Sequence, residues 1–564
     1  MAHDLHRCEE TIKMQTAILV YSESARIISA TILVIFCVVT YIYHSESSIN
    51  RTGRNHTLAI VFSSLVACTL FIWRAPYISY PAELNPDESQ TLASAKILSE
   101  DPIPWRSVDT TTSGPLNSYV YMWTYAFGDD PTYLSKRVTS VLLAIITILC
   151  LELCAFKILG HHRSFLAVLP AVLFFAFSSG IDFVHASTEY LPGCMLSIAL
   201  TFIIYSLKDE TNRTYNIIIG IVLGLIPFAK LQASLLALFL GLFIVILIGN
   251  RRGWRSKELV VVIIAAISPA LFFTVVTMIG GSFNDMIMRS FAQALMYKGD
   301  QWELSYFQRF QRLVRCSEEL MLITASTTSL FIAAILVKFK NKSLSTSTQL
   351  AIAMSWFLIG VYSVVKSGFI FPHYLTLLVA PVSILLIVIL SEFDNLPSSA
   401  NIGLYTILPF LLTAEQCLRP DEHKNVAAFI LNKPMLQDEL SQYLAKELKK
   451  GDRLGIWGWT PKYFVESNTR SATRDLASYF LLIDRPYTLK YRETYTADLI
   501  ASRPKIFIDT ATDLADDVSF PPQDKRRYTC YEPLANFIDK NYVKIGEFTP
   551  RGYKVPILIF KLSN

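Results

Sequence analysis

Charged side chains are scarce in this chain: 17% of its 564 residues are Asp, Glu, Lys or Arg, against 52% hydrophobic. Soluble domains carry about a quarter charged residues, so a soluble globular protein is excluded and most of the length is expected to lie in a membrane. The net charge of +5 is small for this size, and the charges fall in short clusters between apolar runs. That is the pattern of a multi-span topology rather than a nucleic-acid footprint, so nucleic acid is not expected as a partner. Other signatures are missing too. There is no Gly-rich phosphate fingerprint in the C-terminal region, no Asp-x-Asp motif in the acidic stretch 76–135, no internal repeat and no low-complexity segment. No cleavable signal peptide is expected, because residues 1–25 are polar and no small-residue cleavage site follows the run 25–43. The nine cysteines show no metal-ligand spacing. Cys37, Cys68, Cys150, Cys154 and Cys194 sit inside apolar runs, where they are small hydrophobes. Cys316, Cys417 and Cys530 lie outside the runs, and nothing in their spacing supports a disulfide.

Apolar runs are what the chain has in plenty. A span needs about 20 mostly apolar residues. Runs at 25–43, 57–75, 138–159, 165–183, 190–207, 215–229, 231–249, 259–280, 319–337, 350–370, 373–391 and 402–416 qualify. All should be helices, because backbone in lipid must satisfy its own hydrogen bonds, and they predict about 11–13 spanning helices. If spans alternate, the basic clusters His161-His162-Arg163, Lys208 with Arg213, Arg251–Lys257 and Lys338–Lys342 fall on one side, which is cytoplasmic. The loops 76–135 and 281–318 and the C-terminal region 417–564 then share the outer face. Two features strain this scheme: loop 281–318 is itself basic, and parity leaves the N-terminus outside if 25–43 spans. Arg309, Arg312 and Arg315 at three-residue spacing would line one helical face, either as a solvated or headgroup-facing surface or as a phosphate-attracting rim.

From about Arg419 the composition becomes that of a soluble domain. Residues 437–450 read as an amphipathic helix, and 453–457, 505–509 and 553–561 as strands. A small α/β domain is expected there. Three segments follow: 1–56 with one extra apolar helix, 57–416 as the transmembrane domain, and 417–564 as the outer domain.

The first outer loop opens on Asn85-Pro86-Asp87-Glu88. Asn is a good N-cap, Pro suits the first helical position, and acids in the first turn complement the helix dipole. Asp87 and Glu88 therefore have a purely structural reading, though a helix start is also a rigid place to hold a carboxylate. The helix predicted over 86–98 could lie in the membrane interface. Ser113-Gly114-Pro115-Leu116-Asn117-Ser118-Tyr119 follows, with aromatics to Phe127, and reads as a second interfacial helix whose tyrosines an aromatic belt explains.

Ionisable groups at span ends or inside spans are Arg137, Asp182, His185, Glu189, Lys230, Lys366 and His373. Such groups are costly in lipid and face a cavity or a partner. Snorkelling suffices for Arg137 and Glu189. Lys230 is harder to dismiss, lying between two apolar runs with no loop, and Tyr374 beside His373 adds a second hydrogen-bonding group. Carboxylates, cations and aromatics on one face beside lipid suit a lipid-phosphate substrate, with cations on the phosphate and a carboxylate acting on the other reactant. These residues alone do not separate transfer from transport.

Four stretches in order resemble the GT-C superfamily of polyprenyl-phosphate-sugar glycosyltransferases, in the branch of protein O-mannosyltransferases and lipid A aminoarabinose transferases. They are Pro86-Asp87-Glu88, Gly114-Pro115-Leu116, Lys230-Leu231-Gln232 and Phe371-Pro372-His373-Tyr374. Gly455-Ile456-Trp457-Gly458-Trp459-Thr460-Pro461 with Tyr463 is similar to the outer domain of many bacterial members. The resemblance implies a bundle of spanning helices with two interfacial helices in the first outer loop. It also implies inverting transfer from an undecaprenyl- or dolichyl-phosphate sugar to a glycan, lipid or protein acceptor. Asp87 would be the general base and Glu88 its support. Lys230, Arg137 and His373 would meet the phosphate, while Glu189, Tyr119 and Tyr374 would contact substrate. The implied location is the bacterial inner membrane with the site facing the periplasm. Two departures stand out: the extra run at 25–43 precedes the family's usual first span, and loop 281–318 lacks a lectin-like insertion. No metal is required, since Lys and Arg can meet phosphate charge, although an Asp-Glu pair could hold a divalent ion. The competing reading is a transporter or flippase of a lipid-linked saccharide, which should carry its polar groups at mid-depth in paired repeats.

Overall fold

The computed structural model describes residues 25–41, 52–110, 113–178, 180–207, 212–292, 303–315, 345–391, 438–449, 451–476, 479–482, 487–510, 526–550 and 555–563. In chain order its principal helices begin with Ala25–Tyr41 (α1), Thr52–Ile78 (α2), Pro86–Glu100 (α3) and Tyr133–Leu159 (α4). Then come His161–Phe177 (α5), Tyr190–Ser206 (α6), Arg213–Ala229 (α7), Ser234–Arg252 (α8), Lys257–Ile279 (α9), Ser345–Val365 (α10) and Val379–Ser391 (α11). Among the described residues six helical stretches are long and apolar enough to cross a membrane: 57–78, 133–159, 231–252, 257–279, 348–365 and 372–391. Four shorter apolar helices accompany them: α1, α6, α7 and 163–177 within α5. The chain is an integral membrane protein with a mostly helical fold. The expected spans at 319–337 and 402–416, and Cys316 and Cys417, lie outside the described residues.

One apolar core runs through the bundle, built from α2, α4, α5, α6, α10 and α11 among others. The other faces of these helices are apolar as well, with Leu238, Leu242, Ile264, Ile267 and Leu271 more than half exposed. Helices hydrophobic all round belong in lipid. In the apolar window of 372–391, 89% of the residues are buried, against 28% in that of 257–279, so the segment that begins at Pro372 is central and α9 is peripheral. Gly220 and Gly224, one turn apart on α7, let α9 approach closely: a Cβ at Gly224 would lie 2.2 Å from the Ala266 carbonyl oxygen.

The expected run 165–183 divides. Helix α5 stops at Phe177, and a separate turn Ile181–Val184 carries Asp182 out of the span. The runs flanking Lys230 are two helices joined by an abrupt break, where Lys230 has extended backbone (φ −159°, ψ 119°). Pro227, placed three residues before that break, lacks the N–H that would continue the helical ladder.

Beyond the bundle lies the small α/β domain. Strands Arg453–Trp457 (β1), Arg470–Ser471 (β2), Ile506–Asp509 (β3), Tyr542–Phe548 (β4) and Ile557–Leu562 (β5) form one sheet in the order β2-β1-β3-β5-β4. β1 pairs in parallel with β2 and β3, whereas β5 is antiparallel to both β3 and β4. Residues of α3 (Ala93, Ile97, Leu98) pack into the same core as Leu454, Ile456 and Ile508 of this sheet. The first outer loop is thus clasped between membrane bundle and outer domain.

A buried charge cluster fastens that arrangement. Arg289, after α9, donates from Nη1 to Asp109 Oδ2 and Asp475 Oδ1, both at 2.6 Å, and lies 4.4 Å over the Tyr491 ring. Burial, opposed by Arg289, pushes Asp475 up to about 6. The three-arginine rim does not form as one face. Arg309 is buried and donates to the carbonyls of Val365 (3.2 Å) and Lys366 (3.3 Å), while Arg312 and Arg315 are exposed.

Candidate active site

The start of α3 follows from its own sequence. Asn85 Oδ1 accepts from Asp87 N at 3.0 Å, and Pro86 occupies the first turn, where no N–H is needed. Asp87 is half-buried, and its carboxylate takes no hydrogen bond or ion pair from the described residues. Its carbonyl is held by Lys136 Nζ (3.1 Å) and Thr91 Oγ1 (2.5 Å), so the backbone is fixed while the carboxylate is left unengaged.

Glu88 is the opposite case. It is fully buried and accepts from Arg137 Nε (2.8 Å), Arg137 Nη2 (2.6 Å), Leu84 N (3.0 Å) and Ala186 N (3.1 Å). Burial would raise its pKa, but the Arg137 guanidinium beside it outweighs burial and holds the carboxyl at about 2. Arg137 has five N–H donors. Besides the two to Glu88, they reach the carbonyls of Tyr77 (3.0 Å), Tyr80 (2.5 Å) and Ala82 (2.7 Å). Arg137 therefore has nothing left to offer a phosphate. The expectation of a phosphate ligand there is corrected to a strut under the 77–88 turn.

A second cluster faces this one. Lys230 Nζ donates to Thr188 Oγ1 at 2.7 Å, contacts Glu189 Oε1, and sits 5.2 Å over the Tyr374 ring. His373 Nδ1 lies 3.2 Å from Asp182 Oδ1, and its Nε2 lies 4.0 Å from Glu189 Oε1. Phe371 stacks on His373 at 5.5 Å, and the rings of His185 and Tyr374 meet it edge-on at 5.2 and 5.0 Å. The connection 181–189 unites the two clusters: it supplies the Ala186 N–H to Glu88, and Thr188 and Glu189 to Lys230. The sequence-predicted Lys230, Glu189, His373 and Tyr374 thus meet, in reach of the turn that carries Asp87 and Glu88. Tyr119 does not join them. Its hydroxyl donates to the Pro102 carbonyl at 2.6 Å, and its ring packs beside Trp105 and Phe228.

Sequence reasoning passed over Lys136, Thr188 and Asn117. Lys136 is fully buried and, besides its bonds to the carbonyls of Asp87 and Glu88, contacts Thr91 Oγ1. A Lys-Arg pair in the first turn of a span was the signal for it. Asn117 Nδ2 lies within bonding distance of the carbonyls of Ser113 (2.8 Å), Thr188 (3.2 Å) and Ala229 (2.7 Å), tying three outer segments at the Lys230 break. The Gly114-Pro115-Leu116 stretch packs on that break. Gly114 has φ +67°, and a Cβ there would fall 2.3 Å from the Phe228 carbonyl oxygen. Gly114→Ala should therefore displace Lys230 and lower stability by about 1–3 kcal/mol, read by thermal unfolding in detergent. An unchanged melting temperature would show that the close approach is not needed.

Among the described residues no group of three or more His, Cys, Asp or Glu is arranged to hold a metal ion. A cavity of ≈ 1120 Å³ opens nearby, between the first outer loop and the outer domain. Its lower wall is apolar (Ile78, Leu134, Val138), while Lys96, Asp130, Glu466 and Asn468 line its outer part.

No family model matches the chain, and no curated protein matches it. Solved structures do. The architecture is the GT-C fold. In particular, the chain is similar to ArnT from Cupriavidus metallidurans, solved bound to undecaprenyl phosphate and in the apo state. Each comparison has a TM-score of 0.55 at 12% identity and covers 89% of this chain and 97% of that one. A further match is the archaeal oligosaccharyltransferase AglB from Archaeoglobus fulgidus, at TM-score 0.46 and 13% identity, covering 90% of this chain and 74% of that one.

Proposed function

We propose that this protein is an inverting membrane glycosyltransferase. It moves a sugar from a polyprenyl-phosphate-sugar donor to a hydroxyl or amine of a glycan, lipid or protein acceptor. The observation that carries the reading is an unengaged, half-buried carboxylate, Asp87, on a rigid helix start within reach of a buried Lys230–Glu189–His373 cluster. The GT-C fold, and undecaprenyl phosphate as a ligand of ArnT, support a lipid-phosphate donor.

In the proposed reaction an acceptor oxygen or nitrogen attacks the anomeric carbon. The new bond to that carbon forms as its bond to the phosphate oxygen breaks, which inverts the centre. The acceptor proton passes to the Asp87 carboxylate, and polyprenyl phosphate leaves with the bonding electrons. Lys230 and His373 meet the leaving phosphate, with Tyr374 beneath Lys230. Glu189 holds Lys230 in place until the phosphate arrives and contacts the sugar. Glu88 and Arg137 keep the Asp87 turn rigid. No step calls for a metal. The active face is the periplasmic side of a bacterial inner membrane, the side shared by the first outer loop and the α/β domain.

A flippase would hold its polar groups at mid-depth in broken helices of two repeats. Here Glu189, Lys230 and His373 stand at helix ends and share one cluster, and the helix start that carries Asp87 is tied to it through the Ala186 N–H bond to Glu88. Covalent transfer by purified protein in lipid nanodiscs, using a panel of labelled undecaprenyl-phosphate sugars and acceptors, separates the two. Movement of lipid without a new glycosidic bond would favour the flippase. Lys230→Ala should weaken donor binding roughly 10- to 100-fold, the worth of one charge-assisted bond to phosphate. An unchanged donor Kd would remove Lys230 from the site.

A further inference from the structure

His185 is buried at 0% exposure in the connection that joins the two clusters. Its Nδ1 lies 2.9 Å from the Ile181 carbonyl oxygen. A carbonyl can only accept, so Nδ1 carries the proton and, in the neutral ring, Nε2 presents a lone pair. Nε2 is buried and has no hydrogen-bond partner among the described residues. Buried polar atoms in proteins are nearly always paired. A second proton on the ring is disfavoured, first by burial and then by His373 alongside. Ser187 Oγ, two residues on, is likewise buried and unpaired. So are Ser118 Oγ and Asn117 Oδ1 on the loop that Asn117 ties to Thr188. These four polar atoms belong to residues 0–1% exposed and stand on two segments that Asn117 Nδ2 joins at the Thr188 carbonyl. Their position is informative: the Ala186 N–H bonds Glu88, and the His185 ring meets the edge of His373.

We infer that His185 is a positioning residue whose Nε2 accepts a hydrogen bond from a substrate hydroxyl between the Asp87 turn and the Lys230–His373 cluster. The inference rests on the glycosyltransferase reading and refines it. A lone pair attracts a hydroxyl and repels an ionised phosphate oxygen, so His185 reads the sugar or the acceptor, not the lipid phosphate. Ser187 Oγ and Ser118 Oγ, which both donate and accept, can serve further hydroxyls of the same group.

Binding of undecaprenyl phosphate and of a panel of undecaprenyl-phosphate sugars to the full chain in nanodiscs tests this, comparing wild type with His185→Leu and His185→Gln. Leucine fills the space but accepts nothing, whereas the glutamine amide oxygen can reach the Nε2 position. His185→Leu should bind undecaprenyl phosphate as wild type does and lose about 10-fold in affinity for the sugar-bearing lipid, the upper range for a lost neutral hydrogen bond. His185→Gln should regain most of it. If donor affinity holds and acceptor KM rises instead, with the same recovery by glutamine, the hydroxyl belongs to the acceptor and the inference stands. Equal losses in both variants, a parallel loss of undecaprenyl phosphate binding, or no change in either donor affinity or acceptor KM would overturn it. Wild-type protein that binds none of these lipids would sink the donor reading itself, an outcome distinct from variants that merely behave as wild type.

Discussion

Asp87→Asn is expected to abolish sugar transfer while the protein still folds and binds donor. Asparagine matches aspartate in shape but cannot take a proton from the acceptor. A positioned general base contributes about 10²- to 10⁴-fold, and turnover should fall by that factor. Stability should barely move. The Asp87 carboxylate takes no hydrogen bond or ion pair from the described residues and acts on Lys136 and His185 only through space, while the bonds of Lys136 and Thr91 at this position go to its carbonyl, which the substitution keeps. The cap from Asn85 is a bond to the Asp87 backbone N–H and is kept too. Thermal unfolding within about 1 kcal/mol of wild type is the expected control for a side chain that gives up no hydrogen bond or ion pair. Initial rates at saturating donor and acceptor are the decisive measurement. Near-normal turnover in Asp87→Asn would falsify the base assignment.

Which residues the fold brings together at the candidate site is partly legible in the sequence, and the features that are not legible share a physical reason. Asn85-Pro86-Asp87-Glu88 signalled a helix start through capping chemistry local to four residues, and α3 begins there. Lys230 stood out because a cation between two apolar runs has no cheap location except a cavity or a partner. Glu189 and Tyr374 provide that environment. What spacing does not carry is which of two adjacent acids is spent on structure. Asp87 and Glu88 look alike in sequence, yet one carboxylate is open and the other accepts four hydrogen bonds from segments up to 98 residues away. The partners of Arg137 are hidden from spacing for the same reason, since they are carbonyls of a turn about 60 residues earlier. In the outer domain β1 and β3 announced themselves as buried apolar runs. The edge strand β4 did not, because most of its side chains are exposed or half-buried and a bulge at Lys544/Gly546 breaks its register.

The clearest way to separate the two acids is to remove the one with partners. Glu88→Ala strands Arg137 with two unpaired donors and leaves the N–H groups of Leu84 and Ala186 without acceptors, all in a dry interior. Breaking a buried pair on one side costs about 3–5 kcal/mol, so loss of folded protein is expected rather than a folded, inactive enzyme. Arg137→Leu should cost a similar amount, leaving Glu88 charged and buried and three carbonyls unserved. Because the residues act as one unit, Glu88→Gln with Arg137→Met should lose less than the sum of the single changes, the mark of direct coupling. The pair also sets an acid limit. Its folded pKa of about 2 lies below the ordinary 4.5, so Glu88 stabilises the fold fully above 4.5, and that contribution fades as pH falls from 4.5 through 2. Unfolding that begins nearer pH 6 must then come from another group. Asp475 differs in sign: its pKa is raised, so its charged form costs stability above about 6, and mild acid relieves that cost. Thermal melts of wild type, Glu88→Gln and Asp475→Asn from pH 4 to 8 resolve the two. Wild type should lose nothing attributable to Glu88 between 8 and 5, and Asp475→Asn should remove the change in slope near 6. A Glu88→Gln protein as stable as wild type across that range would show that the carboxylate does not hold the Asp87 turn.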